Sequence, residues 1–140
     1  MSSQPPSRSF AVTKTDDEWQ AALSPAQYAV LRGHGTERPG TSPLLEEHRD
    51  GAFLCAGCGQ PLFTSGAKYE SGSGWPSFYE AIEGAVGTNE DRSLGMRRVE
   101  IHCSRCGGHL GHVFPDGPRP TGQRYCTNGA ALTFEPSTPS

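Results

Sequence analysis

The sequence predicts a helix-poor, mainly β (α+β) domain, and three observations support this. Glycine and proline number 18 and 12 among 140 residues, so much of the chain must form turns and loops. The apolar stretches between these turn signals are short and partly alternating, which is typical of strands. Two C-x-x-C pairs each follow such a stretch. The length fits one domain, expected at residues 13–135 between loosely attached tails at 1–12 and 136–140.

Two short helices are predicted near the N-terminus. Residues 16–23 carry acidic side chains in their first turn, where the helix dipole favours them. A second helix has Ser24 as its N-cap and Pro25 at its first position, and Gly33 ends it. We expect the apolar residues of both helices to pack on the rest of the domain; these are Trp19, Leu23, Tyr28 and Leu31.

The strands are predicted from short apolar or alternating stretches. Residues 79–83 are expected to form a helical turn, and residues 115–122 a turn that joins two strands. The predicted strands lie at residues 52–54, 62–63, 94–102, 109–114 and 125–134, the last as one strand or more. Each C-x-x-C pair therefore lies between two strands, on a hairpin-like turn.

Charge and composition exclude several classes of protein. The net charge is −3, which disfavours a nucleic-acid surface because phosphate binding needs clustered lysine and arginine. No run of about 18 apolar residues is present, so no membrane-spanning helix is expected. The polar N-terminus lacks the apolar core of a signal peptide, and we expect the protein to be cytoplasmic.

The two cysteine pairs, Cys55/Cys58 and Cys103/Cys106, have the spacing of metal ligands. Four thiolates suit one Zn²⁺ per chain in tetrahedral geometry, and a site with four protein ligands is structural rather than catalytic. The pairs enclose residues 59–102, so a metal ion would close a long loop. The alternative is a pair of redox dithiols of the thioredoxin type, which would require a βαβ context that this sequence lacks.

Cys126 is the fifth cysteine and has no partner in these pairs. If residues 125–127 form a strand, Arg124, Cys126 and Asn128 point to the same side, because side chains in a strand alternate. A nearby cation favours the thiolate, which is the nucleophilic form of cysteine. The alternative is that Cys126 is a buried core residue.

His109 and His112 follow the second cysteine pair and could transfer protons near neutral pH. A regular strand would place them on opposite faces, so both can serve one site only if Gly111 carries a bulge or bend. A second metal site is the alternative, although no complete ligand set accompanies them. Trp75 lies between glycine and proline on an irregular loop, either in the core or as one wall of an apolar pocket.

Taken together, these motifs resemble the methionine-R-sulfoxide reductases of the B type, over roughly residues 16–135. The resemblance is specific because six separate motifs occur in the same order as in that family. They are residues 35–39 (GTERP), 55–59 (CAGCG), 71–78 (SGSGWPSF), 103–106 (CSRC), 109–118 (HLGHVFPDGP) and 122–128 (GQRYCTN).

The resemblance implies a small antiparallel β-barrel or sandwich-like fold with short N-terminal helices and a four-cysteine zinc site away from the active site. It implies an oxidoreductase that reduces the R epimer of methionine sulfoxide, free or in proteins, as a form of protein repair under oxidative stress. Cys126 would be the nucleophile, and its thiolate would become a sulfenic acid as methionine leaves. The resemblance gives no sign of nucleic-acid or membrane partners, and we expect a monomer.

The remaining site residues are carried over by position. Donors that hold and protonate the departing oxygen would be His109, His112 and Asn128. Arg124 and Asp116 would support the charge and orientation of this group. Trp75 would pack against the terminal methyl group of the substrate, and Phe114 is expected to contact the substrate as well.

Ser73 departs from the family pattern, because many members place a resolving cysteine at this position. The other four cysteines are expected to bind zinc, so the sulfenic acid at Cys126 would be reduced by an external thiol. Thioredoxin, glutaredoxin and glutathione are the candidates. Residues 129–131 (GAA) stand where serines are common, a change that could alter hydrogen bonds around Cys126.

Two other functions compete with this interpretation. A zinc-ribbon-like binding module would use Cys126 structurally and would require clustered basic residues, of which Arg97, Arg98 and Arg105 are the only indication. A peroxide-reducing thiol enzyme would explain Cys126 and Arg124 but not the paired histidines or the tryptophan.

Overall fold

The computed structural model describes residues 14–33, 35–91 and 98–136, with Asp91 described by its backbone alone. Within these ranges, no helix has both the length and the apolar character needed to cross a membrane. The tail predicted at residues 1–12, nearly all of the tail predicted at 136–140 and the first part of the strand predicted at 94–102 lie outside the described residues.

Both predicted helices are present at the N-terminal end of the described chain. Helix α1 spans Asp16–Ala22 and helix α2 spans Pro25–Leu31. Each begins with a capping box, in which the hydroxyl of Thr15 or Ser24 accepts a hydrogen bond from the first turn. Their apolar residues pack on the domain as predicted, with three buried and one partly buried: Trp19, Leu23 and Leu31, and Tyr28.

The strands form two antiparallel sheets, one with the order β2-β1-β9 and one with the order β3-β4-β8-β7-β6-β5. Among the described residues, the sheets remain open and do not close into a barrel, so the fold is sandwich-like within the predicted mainly β class. The strands are β1 Gly51–Cys55, β2 Pro61–Thr64, β3 Lys68–Tyr69, β4 Ser77–Phe78, β5 Val86–Asp91, β6 Arg98–Cys103, β7 His109–Phe114, β8 Arg124–Thr127 and β9 Leu132–Pro136.

The prediction of a helical turn at residues 79–83 is wrong. The backbone N–H of Tyr79 donates to the carbonyl of Ala67, and that of Ile82 donates to Leu62. Since these N–H groups donate to residues that are distant in the sequence, they are not available for the local hydrogen bonds of a helix. The segment instead leads into β5, a strand that the sequence did not indicate.

Three phenylalanine rings join the two sheets in the core. Phe53 of β1 and Phe63 of β2 belong to the small sheet, whereas Phe78 of β4 belongs to the large sheet, and all three are fully buried. The rings of Phe63 and Phe78 are stacked with centroids 4.2 Å apart, and Phe53 meets Phe78 edge-on at 5.0 Å. Burial of aromatic rings at this density holds the sheets in fixed relation, and it anchors the short strand β4 beside β8.

The predicted stretch at 125–134 is divided into two strands by a short 3-10 helix, Gly129–Ala131. The first strand, β8, lies inside the large sheet between β4 and β7, and the second, β9, pairs with β1 in the small sheet. The chain therefore crosses from one sheet to the other directly after Cys126, which fixes the backbone on both sides of that residue.

Candidate active site

The four paired cysteines meet where the two sheets approach each other. Cys55 and Cys58 lie on the turn between β1 and β2, and Cys103 and Cys106 lie on the turn between β6 and β7. The four sulfur atoms all lie within 4.8 Å of one another. Across the two turns, the Sγ atoms of Cys55 and Cys106 are 3.7 Å apart, and those of Cys58 and Cys103 are 3.5 Å apart.

This cluster fits a tetrahedral metal ion. With metal–sulfur bonds of about 2.3 Å, neighbouring sulfurs of a tetrahedral site are about 3.8 Å apart, close to the observed separations. Backbone N–H groups also point at two of the sulfurs, from Gly57 to Cys55 at 3.3 Å and from Gly108 to Cys106 at 3.4 Å. Donors of this kind stabilise thiolates. The cluster is therefore suited to bind a metal ion, consistent with zinc, that would join the small sheet to the large one.

Cys126 lies on β8 and lines an open cavity of about 810 Å³, and none of the four clustered cysteines is among the described residues that line it. Its neighbours across the sheet are Ser77 on β4 and His112 on β7. Arg124 and Asn128, two positions away in either direction, line the same cavity as the alternation of a strand predicts. Cys126 is half-buried, so it is neither a core residue nor fully exposed.

The bulge required at Gly111 is present. Opposite β6, Ile101 pairs with Gly111 and His102 pairs with His109, so one extra residue of β7 lies between the two pairs. Gly111 has φ +157°, and a Cβ there would lie 2.0 Å from the carbonyl oxygen of Cys126. Only glycine permits this approach. As a result, His109 and His112 both line the cavity, with ring centroids 5.7 Å apart.

His109 is held by a carboxylate that the sequence analysis did not identify. Its Nδ1 lies 2.5 Å from Oε2 of Glu100, which projects from the neighbouring strand β6. The histidine side chain is 4 % exposed and that of Glu100 is 14 % exposed, so the pair is largely shielded from water. A carboxylate at Nδ1 fixes the orientation of the ring and assigns proton exchange with a ligand to Nε2.

Asn128 is buried, and both ends of its carboxamide are used. Its Oδ1 accepts a hydrogen bond of 2.8 Å from the backbone N–H of Glu37, and its Nδ2 donates to the carbonyl of Leu110 at 3.2 Å. The oxygen is thereby turned away from any acceptor role in the cavity. Among the described residues, one amide hydrogen remains for a ligand, so Asn128 presents a donor.

Trp75 lines the cavity and is partly exposed, so it is not a core residue. Its indole Nε1 donates to the carbonyl oxygen of Glu37 at 3.0 Å, which leaves the ring as an apolar surface. Phe114 also lines the cavity, and the guanidinium of Arg124 lies 4.4 Å from the centre of its ring. The cavity thus combines a thiol, hydrogen-bond donors and aromatic walls.

Comparison with known proteins assigns this arrangement to a family. Residues 23–136 match the model of the SelR domain. The chain belongs to the SelR family. The match includes every predicted site residue, from Cys55 to Asn128.

Relatives of the SelR-family chain include three proteins each named "Peptide methionine sulfoxide reductase MsrB". The protein of Thiobacillus denitrificans is 57 % identical over 124 residues, covering 88 % of this chain and 94 % of its own. That of Leptospira interrogans is 54 % identical over 127 residues, covering 90 % and 97 %. That of Agrobacterium fabrum is 53 % identical over 126 residues, covering 89 % and 93 %. The prediction of a B-type methionine sulfoxide reductase, and hence of an enzyme, is confirmed.

Asp116 lies apart from the other predicted residues of this SelR domain. It does not line the cavity, and its side chain is 62 % exposed. Its carboxylate accepts two hydrogen bonds from Arg124, from Nε at 2.9 Å and from Nη2 at 3.2 Å. These bonds hold the pKa of the Asp116 carboxyl below its usual value. Asp116 therefore acts on the site through Arg124, whose guanidinium it orients beside Cys126.

Arg124 favours the thiolate of Cys126 as predicted, but burial of the thiol opposes it. Burial raises the pKa of the Cys126 thiol, and this effect exceeds the opposing ones. A hydrogen bond with Ser73 and the positive charge of Arg124 act in the other direction and favour the thiolate. In this SelR domain the hydrogen bond with Ser73 and the charge of Arg124 therefore offset part of the effect of burial on the pKa of the Cys126 thiol.

Glu37, like Glu100, belongs to the SelR site but was not predicted as a site residue from the sequence. Its carboxylate accepts hydrogen bonds from the backbone N–H groups of Gly129 at 2.7 Å and Ala130 at 3.0 Å. Its backbone binds Asn128 and Trp75, as described above. It lies within the GTERP motif, and that motif was the one available signal. Glu37 therefore connects two residues of the cavity, the donor Asn128 and the aromatic Trp75, to the backbone that follows β8.

Proposed function

We propose that this chain reduces the R epimer of methionine sulfoxide, free or in proteins, to methionine, with Cys126 as the nucleophile. The observation that carries the proposal is the convergence of Cys126, His109, His112 and Asn128 on one cavity with an aromatic wall. The family to which the chain belongs, and the names of its relatives, support the same reaction.

The proposed first step is an oxygen transfer between two sulfur atoms. The thiolate of Cys126 attacks the sulfoxide sulfur and forms a transient sulfur–sulfur bond, while the sulfoxide oxygen takes up one proton from a donor in the cavity. The oxygen then passes to Cys126 as the hydroxyl of the sulfenic acid, and both the sulfur–oxygen bond of the substrate and the transient sulfur–sulfur bond break. The substrate sulfur is reduced by two electrons to the thioether of methionine. Cys126 is oxidised by two electrons to the sulfenic acid, which lies on the reversible part of cysteine oxidation.

The donors in the cavity make this transfer easier, because a sulfoxide oxygen leaves its sulfur more readily once it is protonated. Asn128 offers an N–H group, and the imidazole rings of His109 and His112 supply further donors to the sulfoxide oxygen. Glu100 contacts Nδ1 of His109 and so directs the Nε2 side of the ring to the substrate. Fixed donors in a partly dry cavity stabilise developing charge more strongly than water does.

The aromatic wall supplies the proposed recognition of the methionine side chain. The ring of Trp75, fixed by the hydrogen bond of its indole to Glu37, packs against the terminal methyl group, and Phe114 adds apolar surface. A volume of about 810 Å³ is in the range of pockets for drug-sized ligands. This leaves room for residues on either side of a methionine sulfoxide within a protein.

External thiols complete the proposed cycle. The sulfenic acid at Cys126 reacts with a thiol to form a mixed disulfide and water, and a second thiol then releases the reduced cysteine. The remaining cysteines of the sequence are all in the four-cysteine cluster, and Ser73 faces Cys126. We propose thioredoxin, glutaredoxin or glutathione as the source of these thiols.

The four-cysteine cluster is proposed to bind one structural Zn²⁺, and the protein is proposed to be located in the reducing cytoplasm.

The direct test is methionine formation from separated R and S epimers of a methionine sulfoxide substrate, with dithiothreitol as reductant and zinc-loaded protein. We expect turnover of the R epimer alone. Replacing dithiothreitol by thioredoxin, glutaredoxin or glutathione then identifies the physiological thiol. If neither epimer is reduced while Cys126 is shown to be a reduced thiol, the proposal fails and a binding function becomes the hypothesis to test.

The variant Asn128→Asp should lower kcat by about 100-fold, a typical effect of losing one donor to a developing charge. Aspartate has nearly the same shape, but it cannot donate to the carbonyl of Leu110 or to the departing oxygen, and its charge disfavours the Cys126 thiolate. The measurement is kcat and KM for the R epimer. Gln123→Glu adds the same charge outside the cavity and serves as the matched control. Turnover of Asn128→Asp within threefold of the unmodified enzyme would contradict this role.

The variant Ser73→Cys should change the recycling route. The Oγ of Ser73 lies 3.9 Å from Sγ of Cys126, and glycines with positive φ flank the loop on both sides, so a small movement brings two sulfurs to bonding distance. After one turnover without reductant, we expect an intramolecular disulfide in this variant, where the unmodified enzyme shows a dimedone-reactive sulfenic acid. Ser71→Cys is the control, because its side chain contacts Ser73 rather than Cys126. A dimedone-reactive sulfenic acid that persists in Ser73→Cys would refute the prediction.

A further inference from the structure

Three serine side chains form a continuous line that ends at Cys126. The Oγ atoms of Ser71 and Ser73 are 2.8 Å apart, and those of Ser71 and Ser77 are 2.7 Å apart. Ser73 then faces Sγ of Cys126 at 3.9 Å, within reach of a long hydrogen bond to sulfur. At the other end, Ser77 is 1 % exposed and lies 3.2 Å from the carbonyl oxygen of Trp75.

The line can carry its hydrogen bonds in either of two directions. In one, the Cys126 thiol donates to Ser73, Ser73 donates to Ser71, Ser71 donates to Ser77, and Ser77 donates to the carbonyl of Trp75. In the other, Ser77 donates to Ser71, Ser71 donates to Ser73, and Ser73 donates to the sulfur of Cys126. Every hydroxyl hydrogen has an acceptor in both directions, which a buried hydroxyl such as Ser77 requires.

Two backbone donors are compatible with both arrangements, and the 3.4 Å contact of Ser73 Oγ with the carbonyl oxygen of Trp75 is longer than its 2.8 Å contact with Ser71. The N–H of Ser73 points at Oγ of Ser71 at 3.2 Å, and the N–H of Trp75 points at Oγ of Ser73 at 3.4 Å. With these two donors in place, each of the two oxygens has one lone pair left to accept from the next hydroxyl. The direction of the line is thus set by its end, which is the protonation state of Cys126.

We infer that Ser71, Ser73 and Ser77 form a reversible chain of hydroxyl groups, in which Ser73 accepts a hydrogen bond from the Cys126 thiol and donates one to the thiolate. No proton passes along the chain, because each hydroxyl rotates and keeps its own hydrogen. The proton of the thiol leaves to water or to a base in the cavity. Ser73 touches the reacting sulfur, whereas Ser71 and Ser77 position it.

The consequence is that the conversion of thiol to thiolate costs less than burial alone would dictate. A hydrogen bond to the charged form stabilises it, and the bond from Ser73 favours the thiolate in the same way as the charge of Arg124. Where other family members place a resolving cysteine, this chain has a donor that supports the nucleophile. The catalytic importance of the chain rests on the proposed function, but its effect on Cys126 does not.

Other groups around Cys126 also influence its titration and must stay unchanged in the test. Arg124 lies on its own strand, and Asp116 binds that guanidinium. The groups on the neighbouring elements and along the cavity are His109 and His112 on β7, Tyr69 on β3, Glu90 on β5, and Arg98 and Glu100 on β6. Substitutions within the serine chain leave all of these side chains in place.

The test is the pH dependence of Cys126 alkylation by iodoacetamide in zinc-loaded protein without any sulfoxide. Trypsin cleaves after Arg124 and releases residues 125–140, in which Cys126 is the one cysteine, so its modification is measured by mass spectrometry. In Ser73→Ala we expect alkylation at pH 7 to slow about fivefold, with the profile displaced to higher pH. Ser71→Ala should slow it about twofold, because Ser73 keeps its hydroxyl but loses its orientation. Ser73→Thr keeps the hydroxyl and should restore the rate.

The control is Ser65→Ala, which removes a hydroxyl bonded to the backbone N–H of Gly51 in the other sheet. It should leave the alkylation profile unchanged, so a general loosening of the fold is distinguished from the loss of this donor. An unchanged profile in Ser73→Ala would overturn the inference, as would an equal loss in Ser73→Thr. Since the assay needs no turnover, a failure of the proposed function leaves its outcome interpretable.

Discussion

Replacement of Cys126 by serine should abolish reduction of methionine sulfoxide, with a loss of at least about 10⁴-fold in kcat. A serine hydroxyl is not ionised near neutral pH, and its oxygen cannot take up the sulfoxide oxygen as the Cys126 sulfur does when it becomes a sulfenic acid. The variant therefore has no nucleophile for the first step. The measurement is methionine formed from the R epimer, together with the loss of dimedone labelling. Residual turnover above one hundredth of the unmodified rate would show that another residue is the nucleophile.

The same variant should keep its fold and its metal. Cys126 is half-buried and is separate from the four-cysteine cluster, and serine differs from it by one atom of similar size. We expect the free energy of unfolding to change by no more than about 0.5 kcal/mol, as in an ordinary surface substitution. Tyr125→Phe is the control on the same strand, because that side chain points to the opposite face and packs on Phe63. It should retain turnover.

The sequence predicted those features that depend on local signals. The helix cap at Ser24, the two cysteine turns and the strand at 109–114 all have residues whose conformational preferences suffice to place them. The bulge at Gly111 was predicted indirectly, as the condition for two histidines in one cavity, and the structure has it.

The features that were missed depend on distant contacts. Strand β5 contains Gly87, Thr88 and Asn89 and has little apolar alternation, so its hydrogen bonds to β6 define it. Glu37 lies 91 positions from Asn128 in the sequence, and only the folded chain shows their hydrogen bond. The net rise in the pKa of the Cys126 thiol likewise follows from burial, which neighbouring residues in the sequence do not reveal.

Removal of the metal should destabilise the whole domain, since the cysteine cluster joins the two sheets. One pair of ligands follows β1 of the small sheet and the other follows β6 of the large sheet, and residues 59–102 lie between them. A bound ion closes this loop of 44 residues and neutralises the repulsion between four neighbouring thiolates. Without it, the hydrophobic core, to which the three phenylalanine rings belong, still packs between the sheets.

The variant Cys58→Ser tests this with little disturbance of packing, because Cys58 is partly exposed whereas its three partners are buried. We expect the bound zinc, measured by elemental analysis, to fall from one per chain to well below one. The Tm should fall by about 15 °C or more, as a loss of about 5 kcal/mol produces in a domain of this size. Chelation of the unmodified protein should have the same effect.

Cys126→Ser is the matched control for Cys58→Ser, because both change one partly exposed cysteine to serine. Cys126→Ser should keep its zinc and an unchanged Tm while losing turnover. Cys58→Ser should lose its zinc, and its Tm should fall. Alkylation of Cys126 measured below the Tm of Cys58→Ser shows whether the cavity survives when the metal is lost. If zinc-free protein unfolds at the same temperature as zinc-loaded protein, the cluster does not hold the sheets together, and the stability must come from the aromatic core.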